Sequence, residues 1–152
     1  MALQLITAFL GSFGFSLLFH VRGKKLFFAA LGGLLSWGFY LLLRPKVESL
    51  LIASILASCF SAAYAEIMAR LVKAPATVFI IPSVIPLVPG GSLYYAMYSA
   101  VIGDAESLSA HGFEMWNAAL GIAIGIAAVT SVCNVLALLH RHLMAGRSQK
   151  AP

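Results

Sequence analysis

Five long apolar runs, parted by short charged joints, decide what this chain can fold into. They cover about residues 3–19, 26–43, 49–69, 77–102 and 115–139. A helix rises 1.5 Å per residue, so each run approaches or exceeds the ~30 Å of a bilayer's hydrocarbon. The first two are short enough to need flanks that snorkel to the interface. The joints are VRGKK, RPKVE, RLVKAP and the longer GDAESLSAHGFE, which is expected to be a loop. A soluble domain of 152 residues would need far more surface charge than a chain that is 61% hydrophobic and 10% charged. The expected fold is a single all-α domain over 1–152, a polytopic membrane protein with about five transmembrane helices and a proline-broken fourth.

The net charge of +5 does not point to nucleic acid, because the basic residues form small clusters between apolar runs and no stripe with interleaved aromatics. Their placement fits membrane topology. If all five runs cross, Arg22, Lys24, Lys25, Arg70, Lys73, Arg141, Arg147 and Lys150 share one side, eight of the ten basic residues. Arg44 and Lys46 lie opposite, with Asp104, Glu106 and Glu114. A re-entrant fourth run would split the basic residues five against five. The positive-inside rule therefore favours five crossings, with the N-terminus outside and the C-terminus cytoplasmic. The segment MALQLITAFLGSFGFSLLFH lacks a basic n-region, and basic residues follow it instead; it reads as a retained first span rather than a signal peptide. Cys59 and Cys133 fall inside apolar runs and read as buried free thiols.

Small residues mark the surfaces built for close contact. The third run carries Ala53, Ser54, Ala57, Ser58, Ser61, Ala62, Ala65 and Ala69 at helical spacing, and the fifth carries a GxxxG, Gly121 to Gly125. Such faces let backbones approach within lipid, and packing inside the chain is favoured over a dimer seam.

The stretch PSVIPLVPGGS breaks the fourth run. Pro82, Pro86 and Pro89 each lack the N–H that would bond four residues back, which frees the carbonyls of Val78, Pro82 and Ile85. Lipid cannot satisfy them, so this backbone must face protein or a wet cavity. Gly90-Gly91 permits left-handed or extended geometry, and Ser92 is placed to cap a second half-helix through LYYAMYSAV. The free N–H groups of that half-helix, near mid-membrane, suit a carboxylate. Broken helices build substrate sites in secondary transporters.

The stretch IIPSVIPLVPGGSLYYAMYSAV resembles the signature of the threonine/serine exporter (ThrE) family, and more closely that of its small membrane subunits, the YjjB-like proteins. FHVRGKKLFFAALGGLLSWGFYLLL and AEIMARLVKAPATVF extend the resemblance from about Phe19 into the fifth run; Ser83 stands where glycine is more frequent. The resemblance implies export of serine or threonine, or of a dicarboxylate such as succinate in a two-subunit branch. It implies a multi-pass protein of the bacterial inner membrane, similar to the C-terminal membrane half of full-length exporters. A larger subunit of the same family would supply the other half, with a homo-oligomer as the alternative. No cofactor or metal is implied, and the function is not enzymatic: no run holds a Ser-His or paired-Asp constellation.

The expected substrate-binding residues are Pro86, Pro89, Gly90, Gly91, Ser92, Tyr94 and Tyr95. Tyr98 packs or binds with them, while Trp116 belongs to an interfacial aromatic belt. Glu66 is the one acidic residue inside a run; proton coupling and an ion pair with Arg70 at i+4 both stand for it. Asp104, Glu106 and Glu114 read as solvated loop acids, and His111 as an unpaired loop residue. His20, His140 and His142 read as interface anchors, and Asn117 and Asn134 as interhelical glue. Two functional classes remain: a transporter half, and a scaffold subunit that never touches substrate.

Overall fold

The computed structural model describes the backbone of residues 1–148 and the side chains of residues 1–139; His140, His142 and the basic residues of the tail lie outside the described side chains. Six helices follow one another: α1 (Ala2–Leu18), α2 (Lys24–Leu43), α3 (Leu50–Val72), α4 (Thr77–Val84), α5 (Gly90–Ile102) and α6 (Ala105–Ser148). A 3-10 turn, Ile85–Leu87, joins α4 to the break. No strand occurs among the described residues. The fold is all-α and its apolar helices suit a polytopic membrane protein. By length and composition α2, α3 and the Ala105–Leu139 part of α6 can each cross a bilayer, and α4 with α5 forms a broken span bent by 53°. α1, with 17 residues, is shorter.

Local chemistry ends each helix where it must turn. His20 (φ 57°) and Gly23 (φ 67°) take left-handed conformations between α1 and α2. Ser49 caps α3, its Oγ accepting from the Ile52 amide at 3.5 Å. Lys73 (φ 51°) closes the other end, where the Ala74 amide donates to the Ala69 carbonyl at 3.0 Å. Gly103 (φ 80°) closes α5, with the Asp104 amide on the Ser99 carbonyl at 3.0 Å.

The last turn corrects an expectation. Only Gly103 and Asp104 separate α5 from α6, so residues 105–114 are helix, not loop. The Asp104 carboxylate accepts the Ser107 amide at 3.1 Å and starts α6. Hydrogen bonds from the Ser107 side chain, then its amide, hold the Asp104 carboxyl below the usual carboxylate range. A lowered native pKa means the cap stabilises fully above the unfolded value and fades as pH falls through the lowered one. The melting temperature of the detergent-solubilised protein is therefore expected to drop more steeply in acid than that of Asp104→Asn, whose neutral cap does not titrate. Equal acid slopes would contradict the cap.

The core is built from small side chains. Ala29, Ala30, Ala53, Ala57, Ala62 and Ala65 are fully buried, and so are Ser12, Ser16, Ser36, Ser58, Ser61 and Ser83; Phe79 is the large exception. α3 and α6 run parallel in the most extensive contact of the fold. A Cβ on Gly121 would lie 2.8 Å from the Leu51 carbonyl oxygen, and one on Gly125 2.6 Å from that of Ile55. The Ser58 hydroxyl donates to the Gly121 carbonyl at 3.2 Å. The GxxxG of the last helix is thus spent inside the chain, as its spacing predicts. Leucines, isoleucines and aromatics point outward instead, in keeping with a lipid solvent.

Candidate functional site

Where α4 ends, the backbone cannot continue as helix. Pro86 and Pro89 remove two donors, the Ile85 carbonyl is reclaimed by the Val88 amide at 3.2 Å, and the Gly90 amide turns back to the Val88 carbonyl at 2.8 Å. The first bond of α5 runs from the Leu93 amide to the Pro89 carbonyl at 3.0 Å. The Gly91 and Ser92 amides consequently have no backbone partner among the described residues. They point the positive end of α5 at whatever lies in front of it.

In front lies a cavity of about 220 Å³. The break supplies one wall, from Pro86 through Pro89, Gly90 and Gly91 to Ser92; Trp37, Tyr40, Leu50, Ser54 and Ala118 supply the rest. Ser54 is almost fully buried (3% exposed), yet its hydroxyl forms no hydrogen bond among the described residues. Trp37 stacks on Tyr40 with centroids 5.2 Å apart, which stiffens the α2 wall. A site with a few polar groups converging on an otherwise apolar hollow is suited to a small ligand with one charged end.

Several expectations need correcting here. Gly90 and Gly91 are not left-handed; they form the first turn of α5, where an added Cβ would meet open space. Their lack of side chain leaves the amides uncovered. Ser92 is not the cap, since α5 starts two residues earlier with Pro89 as its cap residue. Its hydroxyl instead lies 3.2 Å from Oε2 of Glu114. Glu114 and His111 are not isolated loop residues: His111 Nδ1 is 3.6 Å from the same oxygen, and its ring lies on Tyr95 at 5.4 Å. The break sits beside the last turns of α2 and the first turn of α3, nearer the Leu43/Leu50 end of the bundle than its middle.

Tyr94, Tyr95 and Tyr98 are more than half exposed and do not line the cavity. Glu66 is far from it, at the opposite end of α3, where its Oε2 lies 3.9 Å from Arg70 Nη2. Trp37, Tyr40 and Ser54 were not singled out as site residues by their sequence. The signal available was the i, i+3 aromatic pair at the end of α2, which a membrane-interface role explains equally well. Among the described residues no group of three or more His, Cys, Asp or Glu could hold a metal ion.

Beneath the break the packing among α1, α2, α3 and α4 holds polar side chains. The hydroxyls of Ser12, Ser36, Ser61 and Ser83 are buried without a hydrogen-bond partner among the described residues. Ser12 and Ser83 press against Gly33 and Gly32 of α2, and the Pro82 carbonyl, freed by Pro86, lies 3.2 Å from where a Gly33 Cβ would be. Hydroxyls in this state are ready acceptors and donors for water or for a polar solute.

A family model described as Threonine/Serine exporter, ThrE, matches residues 4–132, most of the chain. No curated protein and no solved structure matches it.

Proposed function

Since the chain belongs to the threonine/serine exporter family, a family of transporters rather than of enzymes, we propose that it is the membrane subunit of a secondary exporter for serine- or threonine-like metabolites. The cavity at the helix break carries this reading. Its two uncovered amides, at the positive end of α5, are a receptor for the substrate carboxylate. The serine hydroxyls below, buried among α1, α2, α3 and α4, give a polar solute partners.

The finer reading places the chain in a bacterial inner membrane, with the N-terminus outside and the C-terminus in the cytoplasm. Export is exchanged for protons, and a larger subunit of the same family completes the transporter. The physical reason for the partner is that α5 packs chiefly on α6, leaving much of the hairpin uncovered. Glu66 is the residue within the helical bundle to which a coupling proton is assigned. Its exposure is low, 19% for the side chain. Glu66→Gln is expected to leave downhill exchange intact and to abolish accumulation driven by a pH gradient. Unchanged gradient-driven transport would reduce Glu66 to the ion pair with Arg70.

Counterflow in proteoliposomes tests the function itself. Labelled serine, threonine and succinate would be offered to the purified chain, then to the chain reconstituted with the larger subunit. Uptake of serine or threonine in either preparation is the expected result. Silence for all three in both would sink the export reading and leave a scaffold role.

A further inference from the structure

The cavity has a negative charge at its rim that export of a carboxylate alone does not explain. Glu114 reaches across from α6 to the first turn of α5, where its Oε2 lies 3.2 Å from the Ser92 hydroxyl. The same Ser92 contributes one of the two uncovered amides. A carboxylate and a carboxylate receptor thus stand one side chain apart. Tyr40 lines the cavity from the opposite helix. His111 holds the outer flank of Glu114 at 3.6 Å while lying on Tyr95, so the carboxylate is steadied from α6 and α5 together.

Ser54, 3% exposed and with no side-chain hydrogen bond among the described residues, lines the same hollow and points independently to an occupant with a polar end.

We propose that Glu114 receives the α-ammonium group of the substrate while the Gly91 and Ser92 amides hold its carboxylate, so that this rim selects zwitterionic α-amino acids over dicarboxylates. An α-amino acid carries its opposite charges on two groups of one carbon, matching a receptor amide and a carboxylate that stand one side chain apart. On entry the ammonium takes the place of the Ser92 hydroxyl on the Glu114 carboxylate and makes a charge-assisted hydrogen bond in its stead. The released hydroxyl is then free for the side chain of the substrate. A dicarboxylate in the same pose would bring its second carboxylate against Glu114, and the like charges repel in a poorly hydrated hollow. Glu114 is therefore a specificity-determining residue, and its role rests on the cavity being the transport site.

The test compares the full chain with Glu114→Gln and Glu114→Asp, each co-expressed with the larger subunit, in membrane vesicles of the expressing cells, measuring exchange of labelled serine and succinate. Glu114 is exposed (55% for its side chain) and glutamine can keep the Ser92 hydrogen bond, so the variants are expected to fold. The unaltered chain should exchange serine and discriminate against succinate. Glu114→Gln should raise the serine KM about tenfold or more, the loss expected for a hydrogen bond to a charged group, and narrow the preference over succinate. Glu114→Asp should recover part of both. A serine KM and a serine-to-succinate ratio left unchanged by Glu114→Gln would overturn the assignment and spare the export reading. Equal exchange of succinate by the unaltered chain would overturn it too. Exchange of neither compound by the unaltered chain would overturn the export reading and this assignment with it.

Discussion

Replacing Pro86 and Pro89 by leucine and Gly90 by alanine in one chain is expected to abolish transport while leaving the protein inserted and folded. Each change restores what a helix needs: two backbone donors and a residue of higher helix propensity. None has an obvious steric obstacle at Gly90, where an added Cβ meets open space. The segment from Thr77 to Ile102 would then run on as one helix, and the 53° bend would close. Closing it gives the Gly91 and Ser92 amides intrahelical partners and removes the receptor. A helix relieved of orphaned groups in an apolar surround gains stability, because each such group costs several kcal/mol there. Higher melting temperature with lost counterflow is thus the expected pair of results. Normal counterflow from this variant would remove the break from the mechanism, whatever its stability.

The second large effect is on folding. Gly125→Leu should disrupt the contact of α3 with α6, since even the first carbon of a side chain there would meet the Ile55 carbonyl at 2.6 Å and the Cys59 amide at 3.0 Å. Both are backbone atoms and cannot swing aside. Overpacking a tight contact typically costs about 1–3 kcal/mol, and a rigid neighbour puts this site at or above the upper end. Gly91→Ala, where nothing stands within 4 Å, is the matched control and should melt like the unaltered protein. Similar melting of both variants would mean that the α3–α6 contact contributes little. Loss of this contact also frees the α6 wall of the cavity at Ala118, so a Gly125→Leu protein that survives should bind substrate poorly.

What could be read from the residues alone was what local chemistry controls. Apolar run length located α2 and α3 to within a few residues, because lipid leaves a spanning backbone little choice but helix. Pro86 and Pro89 located the break, since a missing N–H acts wherever the chain goes, whereas Pro82, expected to break the run with them, is accommodated inside α4. The glycines of the last helix announced a close contact, and the small face of α3 receives it. The start of α6 was less legible. AESLSAHGFE is polar, which suggests a loop, yet most of its residues tolerate or favour helix and Asp104 supplies the cap. That misreading also hid Glu114, which reaches Ser92 only because both sit on helices paired side by side. Trp37, Tyr40 and Ser54 reach the break through tertiary packing, for which no spacing in one segment is a guide.

The small-residue interior turns the usual rules of substitution inside out. In a soluble domain the buried positions are those that exchange among leucine, valine and phenylalanine, and the surface drifts among polar residues. Here Ala29, Ala30, Ser36, Ser61 and Ser83 are fully enclosed while Leu3, Leu18, Phe113 and Val101 lie open. Size, rather than oiliness, is what the enclosed positions police. Exchange between serine and alanine should leave the folding there almost unchanged, whereas a leucine, harmless by any hydropathy scale, should force the helices apart. On the outer faces leucine, isoleucine, valine and phenylalanine should trade freely. A deep mutational scan of this chain would therefore rank tolerance by side-chain volume inside and by charge outside.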